Sequence, residues 1–140
     1  MPSITFDRKS LSIDGKRHQI VGARFEYALC PANEWADRLD ALKQNGFNTI
    51  LTSCPWLLHE PTHGACTTHG NLDIAAFLAL AHEYGVRVIV RVGPVVGAPF
   101  DGGGLPAWLG SHDDVHVREH DPAFLGLVSS YFKDLLPSIE

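Results

Sequence analysis

The spacing of apolar and polar positions changes several times along the chain, and each change marks an element. Near the amino end "KSLSI" and "RHQIVGARFEY" flank Asp14-Gly15, a dipeptide that favours a two-residue type I′ turn. This predicts a β-hairpin whose second arm runs on into a first core strand over about Ile20 to Tyr27. Trp35, Leu39 and Leu42 then recur at helical spacing, and Asn45-Gly46 supplies a left-handed stop. "FNTILTS" reads as a short strand rich in β-branched residues. "NLDIAAFLALAHEYG" reads as a second helix, with Asn71 expected as its N-cap, Asp73 in its first turn and Gly85 ending it. "VRVIVRV" is a third strand. A last helix is expected from Asp121 as cap and Pro122 at the first position. Phe124, Val128, Tyr131 and Leu135 form its apolar stripe, widened by Leu125, Phe132 and Leu136.

The order is a hairpin followed by β-α-β-α-β-α, which predicts an α/β fold with a parallel sheet and right-handed crossovers. The turns from helix to strand at Gly46 and Gly85 are minimal. The loops that leave the second and third strands are long, about Cys54 to Gly70 and Gly93 to His120. Long loops at the carboxyl ends of strands and short ones at the amino ends are the pattern of a (β/α) barrel. A doubly wound sheet usually has a Gly-rich phosphate turn after its first strand. Here "RFEYALCPANEW" has none.

Composition narrows the partners. The 140 residues carry a formal net charge of −5 without a Lys/Arg cluster, so no nucleic-acid partner is expected. No apolar run is long enough to span a bilayer, so no membrane partner is expected either. "MPSITFDRKS" lacks an apolar signal region, and Cys30, Cys54 and Cys66 are an odd set without framework spacing. Together these predict reduced thiols in a cytoplasmic protein. No cofactor is implied.

The ordered set "IDGKRHQIVGARFEY", "GFNTI", "CPWLLHEP", "GNLDIAAFLALAHEYGVRVIVRVGP" and "GGLPAWL" resembles glycoside hydrolase family 35, the β-galactosidase family. The most specific part is "RxGP" followed by "GGLPAWL". The resemblance covers about Ile13 to Leu136. It implies a (β/α)8 TIM barrel and retaining hydrolysis of terminal β-galactosides by two glutamates. Residues 1–140 then form one partial barrel domain: the N-terminal hairpin plus the first three βα units of an incomplete barrel.

The departures from the family pattern bear on chemistry. Where the family has Gly-Glu-Phe-His-Tyr, this chain has Ala23-Arg24-Phe25-Glu26-Tyr27, and Tyr27 sits where the family contacts its sugar. Where the family has Thr-Tyr-Val-Pro-Trp, this chain has Thr52-Ser53-Cys54-Pro55-Trp56 and loses an aromatic. The family's third loop reads Gly-Pro-Tyr-Ile-Cys-Ala-Glu-Trp; here Gly93-Pro94-Val95-Val96-Gly97-Ala98-Pro99-Phe100 keeps the alanine and puts Pro99 at a sugar-binding carboxylate position. The family's acid/base and nucleophile follow its fourth and seventh strands. A full barrel takes roughly 250 residues. Neither glutamate can be assigned before Glu140, so no catalytic residue is named and the chain is expected to be inactive alone.

Tyr27, Glu26, Ala98, Glu60 and Asp101 are the substrate-binding candidates, for a β-galactoside or related carbohydrate. Each has a plainer reading. Tyr27 also suits a packed strand-end aromatic, Glu26 a salt bridge, Glu60 a loop tied through backbone hydrogen bonds, and Asp101 a turn before three glycines. Arg91 in an apolar strand needs a partner, either the loop backbone or Asp101. Trp56 and Trp108 read as apolar anchors before sugar platforms.

Two alternatives stand beside the hydrolase fragment. One is a non-catalytic carbohydrate-binding or interaction module. The other is a zinc-clipped structural domain built on His59, His63, Cys66 and His69, against which stands a plain His-rich surface loop and an unassigned metal. Three parallel strands also leave open edges. The rest of a barrel, or a second copy, is therefore an expected partner, meeting the interior side of Ile50, Val88 and Val90.

Overall fold

In the computed structural model, residues 3–139 are described. Met1, Pro2 and Glu140, the outermost residues of the expected 1–140 domain, lie outside the described residues. The predicted hairpin is present: strand β2 (Leu11–Ile13) pairs antiparallel with β3 (Lys16–His18) across Asp14-Gly15. Asp14 and Gly15 have φ of 50° and 75°, the two positive values a type I′ turn requires. A further strand, β1 (Ile4–Phe6), pairs with β2 and makes this a three-stranded sheet.

The second sheet is parallel, in the order β4 (Gly22–Arg24), β5 (Thr49–Ser53), β6 (Arg87–Arg91). Its first strand is shorter than the sequence pattern predicts. Tyr27 has left it for a single 3-10 turn, Tyr27–Leu29. The cause is local: the Glu26 carboxylate accepts the Ser53 N–H at 2.9 Å, so a side chain takes a donor on β5 and the ladder stops.

Four helices complete the described chain: α1 (Trp35–Gln44), the short α2 (Trp56–His59), α3 (Ile74–Glu83) and α4 (Pro122–Leu135). Gly46 stands at φ 86° after α1, the left-handed stop that Asn45-Gly46 predicts. The cap of α3 differs from expectation. Asp73, rather than Asn71, accepts the Ala76 N–H at 2.9 Å. Asn71 lies in a preceding 3-10 turn, where its side-chain oxygen takes the Ala32 N–H at 2.9 Å. Asp121 caps α4 through Ala123 N–H, with Pro122 next, as predicted. Phe124, Val128, Tyr131 and Leu135 are buried along α4, whereas Leu125 is 42% exposed and belongs to the outer face.

The two faces of the parallel sheet are unequal. Ala23, Ile50 and Val88 lie in register, and Ile50 is wholly buried in the cluster containing Leu39, Phe77 and Trp35. Val88 and Val90 pack against that same cluster. The expectation that Ile50, Val88 and Val90 face an open interior is therefore wrong by one residue of strand parity. The unoccupied face belongs to the alternate set: Arg24, Leu51 and Ile89 in one row, then Ser53 beside Arg91. Ile89 is 48% exposed.

Candidate functional site

The carboxyl ends of β4, β5 and β6 carry a polar cluster on this unoccupied face. Arg24 and Glu26 are two residues apart in extended chain, so their side chains share a side. Arg24 Nε donates to Glu26 Oε1 at 2.7 Å. Glu26 also accepts the Ser53 N–H at 2.9 Å and the Ser53 hydroxyl at 3.1 Å. A terminal nitrogen of Arg24 donates to the carbonyl of Ala98, which lies in the loop after β6. Four residues from three separate segments thus meet at one point. Glu26 and Ala98 were candidates in the sequence; Arg24 and Ser53 were seen there only as departures from a pattern. The signal that locates them is the Arg-x-Glu spacing at a strand end.

The loop from Gly93 to Gly104 is held by its own backbone and by Arg91. The Arg91 guanidinium donates to the Val96 carbonyl at 2.6 Å, so its partner is the loop rather than Asp101. The Gly103 carbonyl accepts from Val96 N–H at 2.8 Å and Gly97 N–H at 3.1 Å. Asp101 is exposed at the start of the turn Asp101–Gly104, away from the hydrogen bonds of the Arg24 cluster.

Tyr27 and Glu60 occupy a second layer beneath the surface. Tyr27 has no exposed area; its ring stacks on Phe77 with centroids 5.4 Å apart. Its hydroxyl lies 2.6 Å from His59 Nε2, and His59 Nδ1 lies 2.8 Å from the Thr67 carbonyl. In this structure a sugar arriving from solvent meets neither the ring nor the hydroxyl of Tyr27. Glu60 is 6% exposed and its carboxylate is fully engaged, accepting from Trp56 Nε1 at 2.6 Å and Gly64 N–H at 2.7 Å. Its carbonyl accepts from Trp108 Nε1 at 2.9 Å. Glu60 therefore ties the loop after α2 to the loop after β6. Trp56 is wholly buried and stacks on Tyr131 with centroids 4.9 Å apart, an anchor as expected.

Burial dominates the ionisation of this layer. It pushes the Tyr27 and Tyr131 phenols upward and pushes the Cys54 thiol up to about 12. Cys54 is therefore a neutral packed thiol, not a nucleophile. Burial holds His59 below its ordinary value. The zinc alternative fails on the same geometry. Both His59 ring nitrogens are spent on Tyr27 and Thr67, while the His63 ring stacks on Trp108 at 4.4 Å. Among the described residues no three His, Cys, Asp or Glu side chains converge as metal ligands would.

A βα scaffold with its polar groups gathered at the strands' carboxyl ends defines the class: an α/β fold of TIM-barrel kind. The exo-β-1,4-mannosidase Op5Man5 from Opitutaceae bacterium strain TAV5 superimposes with a TM-score of 0.67 at 22% identity, over 89% of this chain and 22% of that one. A GH5_18 protein from Streptomyces cattleya, solved with GlcNAc, gives 0.60 at 21% identity, over 76% of this chain and 25% of that one. At such identities the likeness concerns the fold alone. Within this class the chain belongs to the glycosyl hydrolases family 35, whose model matches residues 10–140. It is 40% identical over 127 residues to a β-galactosidase-1-like protein of Mus musculus, covering 91% of this chain and 20% of that protein. It is 37% identical over 140 residues to the β-galactosidase of Homo sapiens, covering all of this chain and 21% of that protein. The chain spans about one fifth of the length of the curated relatives it matches.

Proposed function

We propose that this chain is the amino-terminal part of the catalytic barrel of a β-galactosidase-type glycoside hydrolase. On this reading residues 1–140 are one partial domain: the hairpin sheet followed by the first three βα units of a (β/α)8 barrel. The observation that carries it is the family match over residues 10–140. The parallel order β4-β5-β6 and the long loops at the carboxyl ends support it. The substrate is a terminal β-galactoside or related sugar, reached at the Arg24–Glu26–Ser53–Ala98 cluster. Tyr27 and Glu60 serve that surface from below by fixing its loops, and Asp101 flanks it.

Retaining hydrolysis needs two carboxyl groups about 5–5.5 Å apart on opposite sides of the glycosidic bond. Glu26 and Glu60 are both committed to internal partners. The chain alone is therefore inactive on this reading, and its partners are the rest of a barrel or a second copy meeting its open sheet edges. The free thiols of Cys30, Cys54 and Cys66 support a reducing, cytoplasmic setting. The test is an aryl β-galactoside assay on the purified 140-residue chain. The expected result is no turnover above buffer. Turnover abolished by Glu26→Gln or Glu60→Gln would overturn the inactivity.

A further inference from the structure

The cluster at the carboxyl ends of the strands has an unusual charge pattern for a site meant to hold a neutral sugar. Neutral sugars present hydroxyls, which both donate and accept. A carboxylate can take their donated hydrogens, but Pro99 has no side-chain acceptor. What the surface offers is donors. Arg24 carries five N–H groups in a rigid fork. One is spent on Glu26 and one on the Ala98 carbonyl, which leaves three. The Arg24 side chain is 41% exposed, while that of Glu26 is 8% exposed. The anion of the pair is thus turned inward and its cation outward.

The remaining oxygen capacity of Glu26 does not restore a sugar acceptor at the surface. Its carboxylate is satisfied by Arg24 Nε, the Ser53 N–H and the Ser53 hydroxyl. The charged groups that the register and the ion pair put at this end of the open face are Arg24, Glu26 and Arg91. With the exposed Asp101 on the flank the two guanidiniums meet two carboxylates, so what distinguishes the surface is not net charge but that the Arg24 fork faces outward while Glu26 is turned inward. Arg24 is also held at both ends of its fork, so its orientation is set before any ligand arrives. A positioned guanidinium with free, outward donors recognises an oxyanion.

We propose that Arg24 is a specificity-determining residue and that the terminal sugar taken here carries an anionic substituent, read by the free donors of Arg24. The inference rests on the carbohydrate reading above and names the substrate class within it: acidic rather than neutral glycosides. Glu26 and Ala98 act as positioning groups, and Arg91 holds the loop through the Val96 carbonyl.

The test compares methyl β-galactopyranoside with methyl β-galactopyranosiduronate, which differ by a carboxylate at C6, titrated into the 140-residue chain at low and high ionic strength. The expected result is about tenfold tighter binding of the uronide at low ionic strength, from one or two charge-assisted hydrogen bonds. High salt should erase that advantage, and in Arg24→Gln the ratio of uronide to galactoside affinity should fall to about one, whatever the change in affinity for the neutral sugar. Arg24→Lys, which keeps the charge but not the fork, should retain only part of the advantage. Galactoside binding with no preference for the uronide, or a preference that survives in Arg24→Gln, overturns this inference and leaves the functional reading standing. Binding of neither sugar overturns this inference together with the placing of the substrate at the Arg24 cluster. Should Arg24→Gln lose cooperative unfolding, the wild-type preference and its salt dependence still decide the matter.

Discussion

The hydroxyl of Tyr27 lies 2.6 Å from Nε2 of His59, with both side chains wholly buried. His59 Nδ1 faces the Thr67 carbonyl at 2.8 Å, and a carbonyl can only accept. Nδ1 therefore carries the hydrogen in the neutral ring, Nε2 is the acceptor, and Tyr27 donates. This chain of two hydrogen bonds ties the end of β4 to α2 and to the loop behind it. Tyr27→Phe removes the donor and keeps the ring, leaving Nε2 buried and unpaired. The expected cost is about 1–3 kcal/mol. Urea unfolding with an unchanged midpoint in the variant would show that the hydroxyl contributes nothing.

The same ring predicts how stability follows pH. Burial lowers the His59 pKa from its ordinary 6.5, opposed in part by the hydrogen bond to Thr67. The unfolded chain then takes up the proton first as pH falls. The contribution of neutral, buried His59 is complete above the unfolded value of 6.5 and is lost progressively below it, toward the depressed folded value. Asp7 and Asp121 have lowered values too, but from 3.8, so their losses begin at lower pH. Unfolding free energy measured between about pH 5 and 7 should therefore fall with acidity, by at most about 1.4 kcal/mol per unit. His59→Gln should flatten that slope. An equal slope in both proteins would place the titrating group elsewhere.

Gly104 is the position where the loop after β6 leaves least room. Its φ is 91°, and a Cβ there would come within 2.6 Å of Val96 Cγ2. Val96 is itself 1% exposed and anchored through its carbonyl to Arg91. Gly104→Ala should cost about 1–3 kcal/mol in backbone strain alone, with the clash adding to it. Gly110, where an added Cβ meets nothing within 4 Å, is the control and should tolerate alanine far better. Equal melting temperatures for the two variants would remove the steric account of this loop.

How far this architecture was legible in the sequence varies with the kind of signal. Turn chemistry read well: Asp14-Gly15, Gly46, Gly85 and Asp121-Pro122 impose conformations that few other residues accept, and each stands where expected. Caps were harder. Asn71 and Asp73 are equally good caps, and only the tertiary partner at Ala32 decides between them. Strand faces were hardest. In "VRVIVRV" the alternation puts Val86, Val88 and Val90 on one side and Arg87, Ile89 and Arg91 on the other, so the periodicity did mark the all-apolar side that meets the helices, and the expectation assigned that side to the interior instead. At the site, Glu60 carried two readings, a sugar contact and a loop tied through backbone hydrogen bonds. The Gly64 N–H in the following loop supports the second, and the partner that the sequence did not name is Trp56 at i−4 on the same short helical turn. Arg24 was passed over because it matched no family position; its ion pair with Glu26 gives it a place.

The strand parity also sets how the isolated chain should behave. Among the described residues β4 and β6 each pair only with β5, so each offers one unpaired edge. Open edges on apolar strands recruit other chains. Ile89 sits in the middle of the β6 edge at 48% exposure, and Ile4, Phe6, Ile20 and Val21 are exposed nearer the first sheet at 61%, 86%, 48% and 41%. A cavity of about 490 Å³ at the amino-terminal ends of β5 and β6 is lined by Ile4, Ile13, Ile20, Leu78, Val88 and Ile89, so it lies between the first sheet, α3 and the foot of the parallel sheet. The helices cover the Val88 side of β6 and leave Ile89 unshielded. Light scattering coupled to size exclusion should therefore show the 15.3 kDa chain associating with itself as concentration rises. Ile89→Lys places a charge in the middle of the edge, on the open face, and should shift the population toward monomer without touching the helix-facing core. A sharp monomer peak for the wild-type chain, with cooperative melting independent of concentration, would mean that the exposed face is stable in water as it stands.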